Sequence, residues 1–182
     1  MFKEMSMVIL DEIKNSLLQV DPDEVQKLIT RLQKSDNIFC LGAGRSKTLL
    51  KSFCIRLNQL GLNCYEVGGV PCPPITKDDL LIVVTGSGST QSVLAIMQRA
   101  KEFGATISVF TASPPDNISL LSDNVISIQA PSTLLPKEEN SSKQLMRALF
   151  EQVTFIIQET IIAILSLGIP IEEIVRRHAN LE

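Results

Sequence analysis

Leu80 to Val84 is an unbroken aliphatic run that leads directly into Thr85-Gly86-Ser87-Gly88-Ser89-Thr90, and a helical pattern begins at Gln91. Strand, hydroxyl-rich glycine loop and helix start, in that order, demand an α/β architecture and prepare a site for an anion. Glycines let the backbone turn tightly, and a helix start offers unpaired N–H groups with a partial positive charge. The hydroxyls of Ser87, Ser89 and Thr90 add donors without adding charge. No Lys follows the second glycine, so the stretch is not the GxxxxGK[ST] loop of nucleotide hydrolases. It suits a small phosphorylated ligand better than a triphosphate. The plainer alternative is a tight turn capped by Ser or Thr.

Strand and helix signals alternate through the rest of the chain. Short aliphatic runs at Ile38–Leu41, Asn63–Val67, Thr106–Phe110 and Val125–Ile128 join Leu80–Val84 as strands. Helical spacing covers about 46–60, stopped by Gly61, and 91–103, stopped by Gly104. Such alternation requires parallel pairing with right-handed crossovers, hence a three-layer, doubly wound α/β fold around a five-stranded parallel sheet. Ligands of such sheets bind at the carboxyl ends of the strands, where strand order reverses. Gly42-Ala43-Gly44 and the Gly86 loop both follow strands, so both belong at that end.

Helices flank this unit. Residues 1–35 read as two N-terminal helices, the first with Ile9, Ile13, Leu17 and Leu18 on one stripe and positioned to pack outside the core, on a neighbouring subunit. The second begins at Asp21-Pro22-Asp23-Glu24, with Asp21 as N-cap, Pro22 in the first helical position and Glu24 placed for a capping box. Residues 130–142 read as a loop. Gln144–Leu167 reads as one long helix, apolar nearly all round, for which the same helix of other subunits is the simplest cover. A short helix to His178 ends the chain, and residues 143–182 form a C-terminal helical segment of one domain spanning 1–182.

Composition removes several functional classes. The net charge is −3 and no basic block occurs, so nucleic-acid binding lacks its electrostatic footing. Met1 to Leu18 carries acidic residues and no long apolar core, unlike a signal peptide. The longest aliphatic stretch, Ile161–Leu167, is far short of a membrane span. Cys40, Cys54, Cys64 and Cys72 show no CxxC spacing and are accompanied by a single His. They read as small hydrophobes rather than metal ligands. A cytoplasmic protein is expected.

Two residues stand out as candidates for proton chemistry. Glu151 lies early in the long helix between apolar neighbours, and a carboxylate turned inward there would be a desolvated proton shuttle; the alternative is an ordinary acid favoured by the helix N-terminus. His178 is the only histidine. Taken together, LGAGRS at 41–46, the TGSGST loop, LFEQ at 149–152 and RHANLE at 177–182 resemble the 6-phospho-3-hexuloisomerases. These are single sugar-isomerase (SIS) domain proteins of the ribulose monophosphate pathway. The glycine-serine loops are common to SIS domains, whereas the RHANLE ending is particular to the hexuloisomerases.

The resemblance implies a flavodoxin-like strand order and a phosphosugar isomerase needing no metal or organic cofactor. The reaction it implies interconverts 3-hexulose 6-phosphate and fructose 6-phosphate through a cis-enediolate. By this resemblance Ser46, Ser87, Ser89 and Thr90, with the turn at Gly44, anchor the phosphate. Glu151 is the base, and His178 acts on a sugar oxygen in the site of an adjacent subunit, within a dimer of dimers. Arg45 is placed to pair with the phosphate or a sugar hydroxyl. Where the family has Pro-Met-Gly-Ser/Thr before the Phe-Glu pair, this chain has Leu145-Met146-Arg147-Ala148.

Two other functions compete. A dinucleotide-binding oxidoreductase would use Gly42-Ala43-Gly44 and Glu66, but Lys47 occupies the third glycine position. A phosphosugar sensor, or an isomerase of a different sugar phosphate, would keep the loops and lose or alter the chemistry.

Overall fold

The computed structural model describes residues 1–113, 118–132 and 142–181. Most of the 130–142 loop and the terminal Glu182 lie outside the described residues. Two helices come first, α1 (Phe2–Leu17) and α2 (Pro22–Lys34), followed by β1 (Ile38–Gly42), α3 (Arg45–Gln59), β2 (Cys64–Glu66) and β3 (Leu80–Val84). Then come α4 (Gln91–Glu102), β4 (Thr106–Thr111), β5 (Asn124–Ser127), α5 (Ala148–Leu165) and α6 (Ile171–Arg176). The turn around Ile118–Leu121 lies between β4 and β5.

All five strands are parallel, in the order β2-β1-β3-β4-β5. The fold is therefore a doubly wound α/β sheet in flavodoxin-like order, with its switch point between β1 and β3. Register sets what happens there. Ile38 pairs with Leu80 and Gly42 with Val84, so the two glycine loops leave the sheet side by side at the same level.

Side-chain alternation along the strands explains the two cores. Ile38, Cys40, Leu80, Ile82 and Val84 face the layer containing α1, α2, α3 and α5, whereas Phe39, Leu41, Leu81 and Val83 face α4. Every residue of β3 is buried. This is why the strand reads as a continuous aliphatic run rather than an alternating one.

The helix starts show sequence logic with two amendments. Asp21 caps α2 by accepting from Asp23 N–H at 2.9 Å, with Pro22 first in the helix. Glu24 does not close the capping box; its carboxylate accepts from Lys27 Nζ at 2.7 Å. The long apolar helix begins at Ala148 rather than Gln144. Glu12 of α1 accepts from Lys143 N–H at 2.8 Å, Ser142 Oγ at 2.6 Å and Gln144 Nε2 at 3.1 Å, and Met146 turns through φ 54°. Those constraints hold the preceding turn out of helical geometry.

The expected placement of α1 also changes. Its C-terminal half packs on α5 of its own chain, with Ile13 buried and Ser16 Oγ donating to Gln129 O at 2.8 Å. Its N-terminal end remains exposed, with Phe2 84% accessible. Eight residues of α5 are buried within the chain, among them Glu151, Thr154 and Gln158. By length and composition α5 is apolar enough to cross a membrane, but its burial makes it the core helix of this layer.

Candidate functional site

Two tight turns shape the mouth between β1 and β3. After β1, Gly44 adopts φ 57° and α3 starts at once with Arg45. A Cβ on Gly42 would stand 2.9 Å from Lys47 N, so the first turn of α3 passes too close for any side chain. After β3, Gly88 adopts φ 64°, and a Cβ there would meet Ile118 Cδ1 at 2.6 Å. Both turns thus require the backbone freedom that only glycine has.

Hydroxyls hold the second turn in shape. Thr85 Oγ1 accepts from Gly88 N–H at 3.2 Å, and Ser87 Oγ accepts from Ser89 N–H at 3.4 Å. The capped-turn alternative is met in these two bonds. Thr90, however, occupies the N-cap of α4 without a side-chain cap hydrogen bond, and Ser89 is exposed. Ser46 lies in the first turn of α3, in the neighbouring loop. The structure therefore brings Gly44, Arg45, Ser46, Ser87, Ser89 and Thr90 to the carboxyl ends of two adjacent strands, beside two helix N-termini.

Glu151 joins this mouth from α5. It sits in the first turn between Leu149, Phe150 and Val153, all buried, and its side chain is 12% exposed. Arg45 Nε donates to Glu151 Oε2 at 2.6 Å, while the Arg45 side chain stays 77% exposed. In this arrangement Arg45 orients the carboxylate. One bond anchors Glu151 to the β1 loop. Its neighbour Phe150 anchors it to the β3 loop, for a Cβ on Gly86 would lie 3.1 Å from the Phe150 ring. The carboxylate borders a cavity of about 400 Å³ whose other walls include Ile13, Leu49, Phe155 and Ile156. An apolar cleft with one oriented carboxylate is suited to moving a proton.

His178 is not brought to this mouth within one chain. It is exposed, with Nδ1 2.9 Å from Ala179 O. The preceding Arg177 lies against Gly61 and reaches Gln59 O at 3.5 Å, beyond the C-terminal end of α3. Arg45 stands at the other end of that 15-residue helix, about 22 Å away at 1.5 Å per residue.

Arg147 is closer to the site than its sequence position suggests. Its Cδ would stand 2.9 Å from a Cβ on Gly86, and its Nε donates to Ser132 O at 2.9 Å. The cavity-lining Leu49 and Phe155 carried no sequence signal beyond helical hydrophobicity. The dinucleotide alternative loses its acid. Glu66 is held by Lys47 Nζ at 2.8 Å and Lys51 Nζ at 3.2 Å. The Lys47 hydrogen bond, followed by that of Lys51, keeps its carboxyl below the usual range.

Comparison with known proteins gives the family. The SIS domain model matches residues 31–150. The chain belongs to the SIS-domain family. The SIS match runs from the end of α2 to the residue before Glu151. Among its relatives are two proteins named 3-hexulose-6-phosphate isomerase. That of Mycobacterium gastri is 34% identical over 96% of this chain and 88% of its own. That of Bacillus subtilis is 32% identical over 96% and 95%. A Methanococcus jannaschii crystal structure, from which a 3-hexulose-6-phosphate isomerase function has been inferred, superposes with a TM-score of 0.79. It is 31% identical over 95% of this SIS chain and 98% of that one. The resemblance to the hexuloisomerases read from short motifs thus extends over nearly the full length.

Proposed function

We propose that this chain is a phosphosugar isomerase that interconverts 3-hexulose 6-phosphate and fructose 6-phosphate. The observation that carries the reading is Glu151, nearly enclosed, held by Arg45 of the first glycine loop and adjacent in the chain to Phe150, which packs at the second. The phosphate sits on Ser46, Ser87, Ser89, Thr90 and the backbone near Gly44, stabilised by the starts of α3 and α4. Anchored there, the sugar carbon chain extends toward Glu151. The carboxylate takes the proton from carbon 2 of the hexulose, giving a cis-2,3-enediolate, and returns it to carbon 3. A second proton moves between the two oxygens, the role assigned to His178 of a second copy. The resident groups suffice without metal or organic cofactor.

The proposal extends to the organisation of the chain and its assembly. Residues 1–182 form one SIS domain with an N-terminal extension, 1–35, and C-terminal helices, 143–182. The assembly is a dimer of dimers and works in the cytoplasm.

A second reading rests on Arg147. Its stem lies against Gly86, where the resembled family has a small residue, and a guanidinium beside the loop favours a different sugar phosphate. One experiment separates the possibilities. Fructose 6-phosphate is incubated with the protein in deuterated water and followed by NMR. Deuterium at carbon 3 is the expected result, and Glu151→Gln should slow it by about 10²–10⁴-fold. Deuterium at carbon 1 alone would instead indicate aldose–ketose isomerisation, and tight binding with no exchange a sensor. Undiminished exchange in Glu151→Gln would remove the carboxylate from the mechanism.

A further inference from the structure

Three of the four cysteines meet inside the fold, outside the machinery described above. Cys40 lies in β1, Cys54 in α3 and Cys64 at the start of β2, and all three are buried, whereas Cys72 is exposed. Their Sγ atoms lie within 4.8 Å of one another, and those of Cys40 and Cys64 are 3.5 Å apart. The fold explains the convergence. Cys64 pairs in register with Ile38, and Ile38 shares a face with Cys40, so both thiols point to the side on which α3 packs. No linear spacing announces this, because the three sulfurs come from three different elements.

The geometry already approaches that of shared ligation. Three thiolates on one ion at a metal–sulfur distance of about 2.3 Å stand about 3.8–4.0 Å from one another. Donor chemistry narrows the ion. The cluster offers sulfur only, and thiolate selects soft cations over Mg²⁺, Ca²⁺ or Mn²⁺. Among the described residues no fourth His, Cys, Asp or Glu joins the group, so the closed tetrahedral set of structural zinc is incomplete. Asn58 supplies an outer contact. Its Nδ2 is 3.7 Å from Cys54 Sγ and donates to Cys64 O at 2.8 Å, and its Oδ1 accepts from Cys64 N–H at 3.2 Å. One amide therefore orients two of the three cysteines, as outer-shell groups do at metal centres.

We propose that Cys40, Cys54 and Cys64 form a three-thiolate site for a soft thiophilic cation. Binding is ligation without redox: each sulfur gives its proton to solvent, and a divalent ion with three thiolates leaves one net negative charge beside the Asn58 amide. The ion cross-links β1, α3 and β2, the elements that frame the β1 side of the mouth. Because the arrangement exists only in the folded chain, binding raises stability by mass action.

The test is titration of the full chain with Cd²⁺, read by the ultraviolet thiolate-to-cadmium charge-transfer absorption and by thermal unfolding. Cys72→Ser removes the exposed thiol and should retain a band that saturates at one ion per chain, with a raised melting temperature. Cys54→Ala and Cys40→Ala, each checked for folding by circular dichroism, should bind about tenfold or more weakly. Excess Mn²⁺ should leave the band unchanged. A band absent from Cys72→Ser, or undiminished in a folded Cys54→Ala or Cys40→Ala protein, would overturn the site.

Discussion

Gly86 shows how closely the loop and α5 are matched. Its missing side chain leaves room for the Arg147 stem on one side and the Phe150 ring on the other, at 2.9 Å and 3.1 Å from where a Cβ would be. A methyl group added there must push on both. Overpacking of this kind costs about 1–3 kcal/mol, and Gly86→Ala should lose that much stability in urea unfolding. The two neighbours differ in how they yield. Arg147 has a flexible stem, half-buried, whereas Phe150 is fully buried in the core. Arg147→Ala should therefore restore only part of the loss in the double variant. Full restoration would mean that Phe150 shifts freely, and with it the neighbouring Glu151, contrary to a preorganised carboxylate.

Element by element, position in the chain does not by itself say what each helix covers. The α5 stripe was readable as buried, and part of its cover comes from the same chain: α1, through Ile13, and α3 pack on it, while Glu12 of α1 holds the turn just before it. The Glu12 carboxyl is held below its ordinary value of 4.5. Partial burial pushes it up, but the Lys143 N–H, then the Ser142 and Gln144 side chains, pull it down by more. A carboxylate depressed in the folded state stabilises above its unfolded value, and that contribution fades as pH falls through the folded one. Glu12→Gln should thus cost about 1 kcal/mol near neutral pH, and the gap from the parent should narrow as pH falls below 4.5. Urea unfolding of both proteins at pH 7 and at pH 3.5 checks this. A gap that persists in acid would assign the loss to packing.

The same contrast explains how far the sequence could be read. Strands, their parallel pairing and both glycine loops follow from local runs and turn chemistry, and these were legible. Glu151 was legible as a carboxylate in an apolar stretch. Its orientation by Arg45, and the cysteine cluster, depend on which remote elements meet. Those pairings come from packing among β1, β2, α3 and α5, for which no residue spacing is diagnostic.

At the scale of the whole molecule, one chain assembles Glu151, Arg45 and the loops but leaves His178 at the far end of α3. Ile164 of α5, Leu167, and Ile171 and Val175 of α6 are exposed apolar side chains, suited to burial against another copy. If His178 serves the site of a second subunit, each site draws Glu151 from one chain and His178 from another. Glu151→Gln and His178→Ala should each be nearly inactive alone. Mixed and allowed to exchange subunits, they form some pairs in which one site regains both residues, and a random mixture should recover about a quarter of parental activity. Light scattering and a tagged variant verify that exchange has occurred. Exchange without any recovery would confine His178 to a structural part or to its own chain, and a fully active monomer would exclude the shared site outright.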